Sequence, residues 1–188
     1  MKHYKRVNQL GFVVSDLDKA LRDYAEEYGI RQWYRAGKKP TDPMKWYGEA
    51  IEDEGFDLII GYCGKTEIEL IKTSADSSLY ADFLKEGNEG LHHVSLFVLN
   101  LKKAIRHFEK MGYEIVQEGC MHQSFGTTAP YAYMKKPGSG WGDIVELQTQ
   151  RMFGVIPFTR NRFNLWMGHF LPGMAEPLNM RKIRKYKG

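Results

Sequence analysis

One imidazole, one amide and two carboxylates occupy matching places in this sequence. His93 lies in Gly90-Leu91-His92-His93-Val94-Ser95-Leu96-Phe97-Val98, and Gln9 lies in Arg6-Val7-Asn8-Gln9-Leu10-Gly11-Phe12-Val13-Val14, 84 positions earlier. Both stretches turn from polar to apolar and lead into a helix start, and Val14, Leu17, Lys19 and Ala20 match Val98, Leu101, Lys103 and Ala104. A second correspondence aligns Thr66-Glu67-Ile68-Glu69-Leu70 with Asp143-Ile144-Val145-Glu146-Leu147, so Glu69 falls opposite Glu146. A His-His pair on a strand is ordinarily one packed and one exposed histidine, and a strand glutamate ordinarily faces water. The repeat argues otherwise, because four polar residues fall as two aligned pairs. Side chains two apart on a strand share a face. If matching faces turn inward, Gln9, Glu69, His93 and Glu146 converge. That donor set suits a divalent ion of hard or borderline character, namely Zn, Ni, Co, Mn or Mg. It contains no thiolate, which argues against a structural zinc site.

The elements that must position these residues can be read in order. A strand from Val7 to Val14 precedes a helix from Leu17 to Tyr28, capped by Asp16 and ended by Gly29. Leu17, Ala20, Leu21 and Tyr24 give that helix one apolar face. Strands are expected at Arg31 to Tyr34, Lys45 to Glu49, Phe56 to Cys63 and Glu67 to Lys72, with a hairpin turn at Cys63-Gly64-Lys65. Residues 37–43 read as a loop, since Pro40, Pro43 and Gly37 interrupt any ladder. A connector helix over Ser74 to Lys85 leads to the strand of His93, and Asn100 then caps a helix from Leu101 to Met111. Strands follow at Tyr113 to Glu118, Tyr131 to Lys136 and Ile144 to Gln148, with a looser stretch from Gly119 to Thr128 that makes His122 a candidate for the pocket wall.

The order strand, helix, three strands thus occurs twice, an internal repeat at domain scale. The expected organisation is a first module over residues 1–73, a connector over 74–89, a second module over 90–150 and an extension over 151–188, all in one structural domain. The extension has no counterpart in the first half. Phe153, Val155, Ile156, Phe158, Phe163, Leu165, Trp166, Met167, Phe170 and Leu171 make it too apolar to be a solvated tail, so it is expected to be a lid or a subunit contact, with a homodimer as the expected assembly.

Composition narrows the function classes. The chain has 188 residues, 43% of them apolar, enough for a real core, and no apolar run long enough to span a membrane. The formal charge is +4, but Arg181, Lys182, Arg184, Lys185 and Lys187 sit in the last eight residues; without those five the rest carries −1. With the basic excess confined to a tail and no nucleic-acid-binding motif, a nucleic-acid partner is not expected. No signal peptide is visible at Met1-Lys2-His3-Tyr4, and Cys63 and Cys120 lack metal-pair spacing. They read as buried, reduced thiols of a cytoplasmic protein.

The residues around Gln9, Ile68-Glu69-Leu70-Ile71, Gly90-Leu91-His92-His93-Val94 and Val145-Glu146-Leu147 together resemble the vicinal oxygen chelate superfamily, which includes glyoxalase I, methylmalonyl-CoA epimerase, extradiol dioxygenases and bleomycin-resistance proteins. The resemblance covers about residues 6–150 and implies an α+β fold, two tandem βαβββ modules forming a curved mixed sheet around a central metal site. The run from Ile68 to Val94 looks most like methylmalonyl-CoA epimerases, although those carry histidine where this chain has Gln9. The quartet of Gln9, Glu69, His93 and Glu146 looks instead like the metal set of one glyoxalase I class. Val13 and Thr73 stand where that class places a glutathione-binding arginine and an asparagine, which argues against glutathione.

Both metal-isomerase relatives imply proton abstraction next to a carbonyl, through an enolate stabilised by the ion. The expected function is a divalent-metal-dependent isomerase, epimerase or lyase acting on a small carbonyl or thioester substrate such as an acyl-CoA. Glu146 and Glu69 are the candidate bases, and the epimerase resemblance adds a strand carboxylate at Asp57. The rival readings are a non-catalytic binding protein of the bleomycin-resistance kind, a glyoxalase I-like lyase, and a ring-cleaving dioxygenase, the last disfavoured by a set with one histidine.

Overall fold

The structure is a computed structural model that describes residues 7–36, 44–51, 55–123, 127–153, 155–158 and 175–178. The loop expected at 37–43 and the basic tail lie outside these residues, as do most of the extension's apolar positions.

Strand β1 (Gln9–Val13) runs through the middle of one mixed sheet. It pairs in parallel with β6 (Thr66–Thr73) and antiparallel with β7 (Gly90–Phe97), so the two halves of the chain meet along β1 and β7. The contact is built symmetrically. Gln9 faces Ser95 and Gly11 faces His93, two pairs that interchange when positions are shifted by 84. Gly11 also stands opposite Glu69 on β6, as Ser95 stands opposite Glu146 on β10 (Val145–Gln148). The ladder registers therefore repeat as the sequence does. Helix caps repeat too. Asp16 accepts a bond from Lys19 N at the start of α1 (Leu17–Glu27), and Asn100 accepts one from Lys103 N at the start of α3 (Leu101–Glu109).

The rest of the sheet extends outward from this seam. On the first side β6 is followed by β5 (Phe56–Cys63) and β2 (Trp33–Ala36); on the second, β10 is followed by β9 (Thr127–Lys135) and β8 (Glu114–Gln123). The sheet curls into a half-barrel. Helix α1 covers one side of the first half, burying Leu17, Ala20 and Leu21 against Phe12, Trp33, Ile59 and Leu70. Helix α3 does the same for the second half, with Ala104 and Phe108 against Ala132, Met134 and Leu147. The short helix α2 (Leu79–Lys85) packs on the other face, where Leu79, Tyr80 and Phe83 meet Val13, Ile71, Tyr131, Tyr133 and Ile144. No described helix is long and apolar enough to cross a membrane.

Three features depart from the sequence expectations. The single strand expected at Lys45 to Glu49 is a hairpin, β3 (Met44–Trp46) and β4 (Glu49–Ile51), folded at Tyr47-Gly48 where φ is positive at both residues. It crosses to the second half and pairs with the outer edge of β8. The stretch expected to be loose, Gly119 to Thr128, is mostly ladder: β8 runs to Gln123 and β9 starts at Thr127. Cys63 and Cys120 are only half-buried. From the extension, β11 (Gln150–Met152) and β12 (Ile156–Phe158) form a hairpin beside β9, and β13 (Ala175–Pro177) pairs with β2. The strands β2 and β8 would otherwise be unpaired edges, which invite non-specific pairing with other chains. One is covered by the extension and the other by the inserted hairpin.

Candidate functional site

His93 is brought to the seam by β7 and is buried to 1% exposure. Its Nε2 lies 3.7 Å from Glu69 Oε2 and 3.8 Å from Glu146 Oε2. That nitrogen makes no hydrogen bond and is shielded from solvent. Burial, followed by the neighbouring His92, holds the His93 pKa well below that of an ordinary histidine, so the ring is neutral. The ring lies flat over Gly11: a Cβ there would come within 1.9 Å of His93 Cε1. Gly11→Ala is therefore expected to drive the imidazole out of place, with a loss of more than about 2 kcal/mol in stability. Chemical denaturation would show it, and an unchanged midpoint would mean that the ring has room this geometry denies it.

The strand does more than alternate at this point. In the pairing of β1 with β7, Gly11 faces His93 while Phe12 faces Leu91, so His92 is the extra residue of a β-bulge. The bulge lets adjacent histidines meet, and His92 Nδ1 stands 3.1 Å from His93 Nδ1. His92 is fully buried, packed edge-on to Phe83 and Tyr80 and near Trp141. Burial, then the charge of Lys135, lowers its pKa to about 3. Sequence reading singled out His93 alone, because strict alternation would send His92 to the opposite face. Gly90, with φ of 107°, just before the bulge and Gly11 opposite it are the local signs of irregular backbone.

Gln9 is buried at 1% exposure but is held to the side. Its Nε2 donates to Glu67 Oε1 at 2.8 Å, and its Oε1 accepts from Gln148 Nε2 at 2.9 Å. The same Gln148 nitrogen lies 2.9 Å from Glu146 Oε2 and 2.8 Å from Ser95 Oγ. Gln148 thus ties Gln9 to Glu146 through one amide group, a function that the sequence did not mark. Asp57 does not join the others. It is exposed, paired with Arg35, and alternates with Phe56 and Leu58, which face the pocket. The His122 side chain lies outside the described residues.

A pocket of about 530 Å³, counting its open mouth, opens onto this cluster. Glu69, Glu146 and Gln148 lie on its wall with Phe56, Leu58, Tyr80, Tyr131 and Tyr133. The Tyr80 and Tyr133 hydroxyls are 2.8 Å apart. Burial, with Tyr80 and the two carboxylates adding to it, raises the Tyr133 pKa well above the usual phenol value, so it stays a neutral hydrogen-bond donor.

The donors suit a divalent ion in kind, but their spacing does not close on one. Ligand bonds of about 2.0–2.2 Å place tetrahedral donors about 3.4 Å apart, and the His93–carboxylate distances exceed this by a few tenths of an ångström. No three His, Cys, Asp or Glu side chains among the described residues form a ready cage. The cluster around His93 would have to contract slightly to close on an ion.

Residues 8–131, more than half of the chain, match the family model described as the glyoxalase/bleomycin resistance protein/dioxygenase superfamily. The chain belongs to that superfamily. Among solved structures it is similar to a hypothetical protein from Bacillus halodurans, with 19% identity, a TM-score of 0.56, and coverage of 76% of this chain and 92% of that one. It is also similar to methylmalonyl-CoA epimerase from Mycobacterium tuberculosis, at 20% identity and a TM-score of 0.53 over 77% of this chain and 87% of that one. A variant of the Streptomyces coelicolor epimerase in complex with 2-nitronate-propionyl-CoA gives 15% identity and a TM-score of 0.55 over 83% and 99%. At these identities the likeness concerns the fold. No curated protein sequence matches the chain.

Proposed function

We propose that the protein is a divalent-metal-dependent isomerase, epimerase or lyase that abstracts a proton next to a carbonyl. One observation carries this reading: two carboxylates that line an open pocket face the unpartnered nitrogen of a neutral, buried imidazole. Glu69, His93 and Glu146 would hold the ion, with Gln9 Oε1 as a fourth donor once its bond to Gln148 is shared. An ion bound there supplies a Lewis acid for the oxygen of a carbonyl or thioester.

The chain's own groups do the rest. The carboxylates of Glu69 and Glu146 line the pocket and can take up and return a proton. Gln148 holds the Glu146 Oε2, which suits that residue to a fixed position. Tyr133 and Tyr80 offer hydroxyls to an oxygen that gains negative charge. Phe56, Leu58 and Tyr131 supply apolar wall. For His93 Nε2 to present a lone pair, its Nδ1 must carry the proton and donate to His92 Nδ1, which makes His92 the partner that fixes the tautomer.

An acyl-CoA is the substrate class we favour, since structural neighbours include methylmalonyl-CoA epimerases. The test is exchange of the α-proton with solvent deuterium, followed by mass spectrometry on acyl-CoA and hemithioacetal substrates with and without added metal. Metal-dependent exchange is expected. A protein that binds these compounds tightly in apo form and never exchanges them would instead be a sequestering member of the superfamily.

We also propose a homodimer. Met152, Phe153, Val155 and Ile156, around the turn between β11 and β12, are 37%, 64%, 69% and 56% exposed, an apolar run that a second copy would cover. Phe153→Ser with Val155→Ser should shift a dimer to monomer in light scattering. An unchanged mass would place the contact elsewhere.

A further inference from the structure

The pocket extends beyond the His93 cluster. Glu146, Gln148 and Gln150 succeed one another along its wall as β10 leads into β11. At about 3.3 Å per strand residue, Gln150 lies on the order of 13 Å from Glu146. Unlike Gln148, whose amide nitrogen is fully engaged, Gln150 is 2% exposed with an Oε1 that has no hydrogen-bond partner. A second such atom is nearby. Arg151 pairs with Thr128, and Thr149 N donates to Pro130 O, so Gln150 stands across from Ala129. Thr127 is the next residue on that face of β9, in the row of Ala129, Tyr131 and Tyr133, which line the pocket. Thr127 is 1% exposed and its Oγ1 also lacks a partner.

Buried polar atoms are ordinarily paired, and two unpaired ones, Gln150 on the pocket wall and Thr127 two residues along β9 from the position opposite it, mark a place that a ligand can complete. Their chemistry limits the ligand. The Gln150 oxygen only accepts, so it calls for an N–H or O–H and would repel a carboxylate. The Thr127 hydroxyl both donates and accepts. Between this point and the carboxylates the wall is Met121, Ala129 and Tyr131, with Phe56 and Leu58 also in the lining.

We infer that Gln150 and Thr127 form a second recognition point, which binds an uncharged amide or hydroxyl on the order of 10 Å from the reacting carbonyl. It rests on the proposed function only in taking the His93 cluster as the reacting end. The substrate would then be elongated, with its carbonyl at the cluster, an apolar middle, and a hydrogen-bonding group at the far end.

Calorimetric binding of two probes tests this, because it reads affinity and not turnover. One is an acetyl thioester of pantetheine, which carries amides. The other is the acetyl thioester of an unbranched alkyl thiol of equal length. The wild-type protein is expected to bind the amide-bearing probe about 10-fold or more tightly over the other. Gln150→Met should remove most of that preference while metal content stays unchanged, and Thr127→Val should reduce it. If Gln150→Met fails to fold, Thr127→Val alone decides. A preference that survives in the folded variants, or a wild type with none, overturns the inference. If the preference follows Gln150 in a protein that holds no ion, this inference stands and the metal-dependent function falls.

Discussion

His93→Ala is expected to abolish stable binding of a divalent ion and, with it, any exchange of substrate α-protons. The argument rests on geometry, since both carboxylates face the same imidazole nitrogen. Losing that donor removes the one imidazole of the group and leaves Glu69 and Glu146 opposite a cavity. The drop in ion affinity should exceed the about 10–100-fold that loss of an outer-shell partner costs. His92→Phe supplies that comparison. It keeps an aromatic ring against Phe83 and Tyr80 but removes the Nδ1 partner of His93, and it should fall within the 10–100-fold range. Glu146→Gln and Glu69→Gln add the chemical step: whichever carboxylate moves the proton should cost about 10²–10⁴-fold in exchange rate at saturating metal. Isothermal calorimetry and deuterium exchange separate the two effects. Unchanged ion binding in both His93→Ala and Glu146→Gln would sink the proposed centre.

The second large effect concerns acid. His92 and His93 are buried neutral, with folded pKa values depressed to about 3 for His92 and well below normal for His93. The unfolded chain binds a proton at each as pH falls through about 6.5, while the folded chain does not. Stability is therefore complete above about pH 6.5 and is lost as pH falls from there toward about 3. Between pH 7 and pH 5 the loss is about 2 kcal/mol for His92, and His93 adds to it in the same direction. Urea unfolding of chelator-treated protein at the two pH values measures it. His92→Phe should remove about 2 kcal/mol of the difference, and a flat profile in the wild type would mean that the histidines are not buried neutral.

Much of the architecture was legible because the chain repeats itself. The alignments of Gln9 with His93 and of Glu69 with Glu146 carry directly into the ladder registers, since strands with equivalent patterns take equivalent places. The structure brings Glu69 and Glu146 to the pocket lining, each within 3.8 Å of the buried His93 Nε2. Other features depend on contacts between distant residues. The bulge at His92 breaks the period-two rule and becomes visible only once Gly11 is placed opposite His93. The β3–β4 hairpin forms against an edge, β8, that lies far away in sequence. The side-on position of Gln9 depends on Gln148, whose importance comes from three acceptors gathered by different strands. Asp57 was carried over by resemblance, and the alternation of β5 turns it toward solvent and Arg35.

Elemental analysis of protein purified without chelator and without a nickel column tests the central claim most directly. About one divalent ion per chain in the wild type, lost in His93→Ala, is the expected result. A wild-type protein that takes up no ion after incubation with zinc, nickel, cobalt, manganese and magnesium would contradict it, and would leave the pocket as a binding site without metal chemistry.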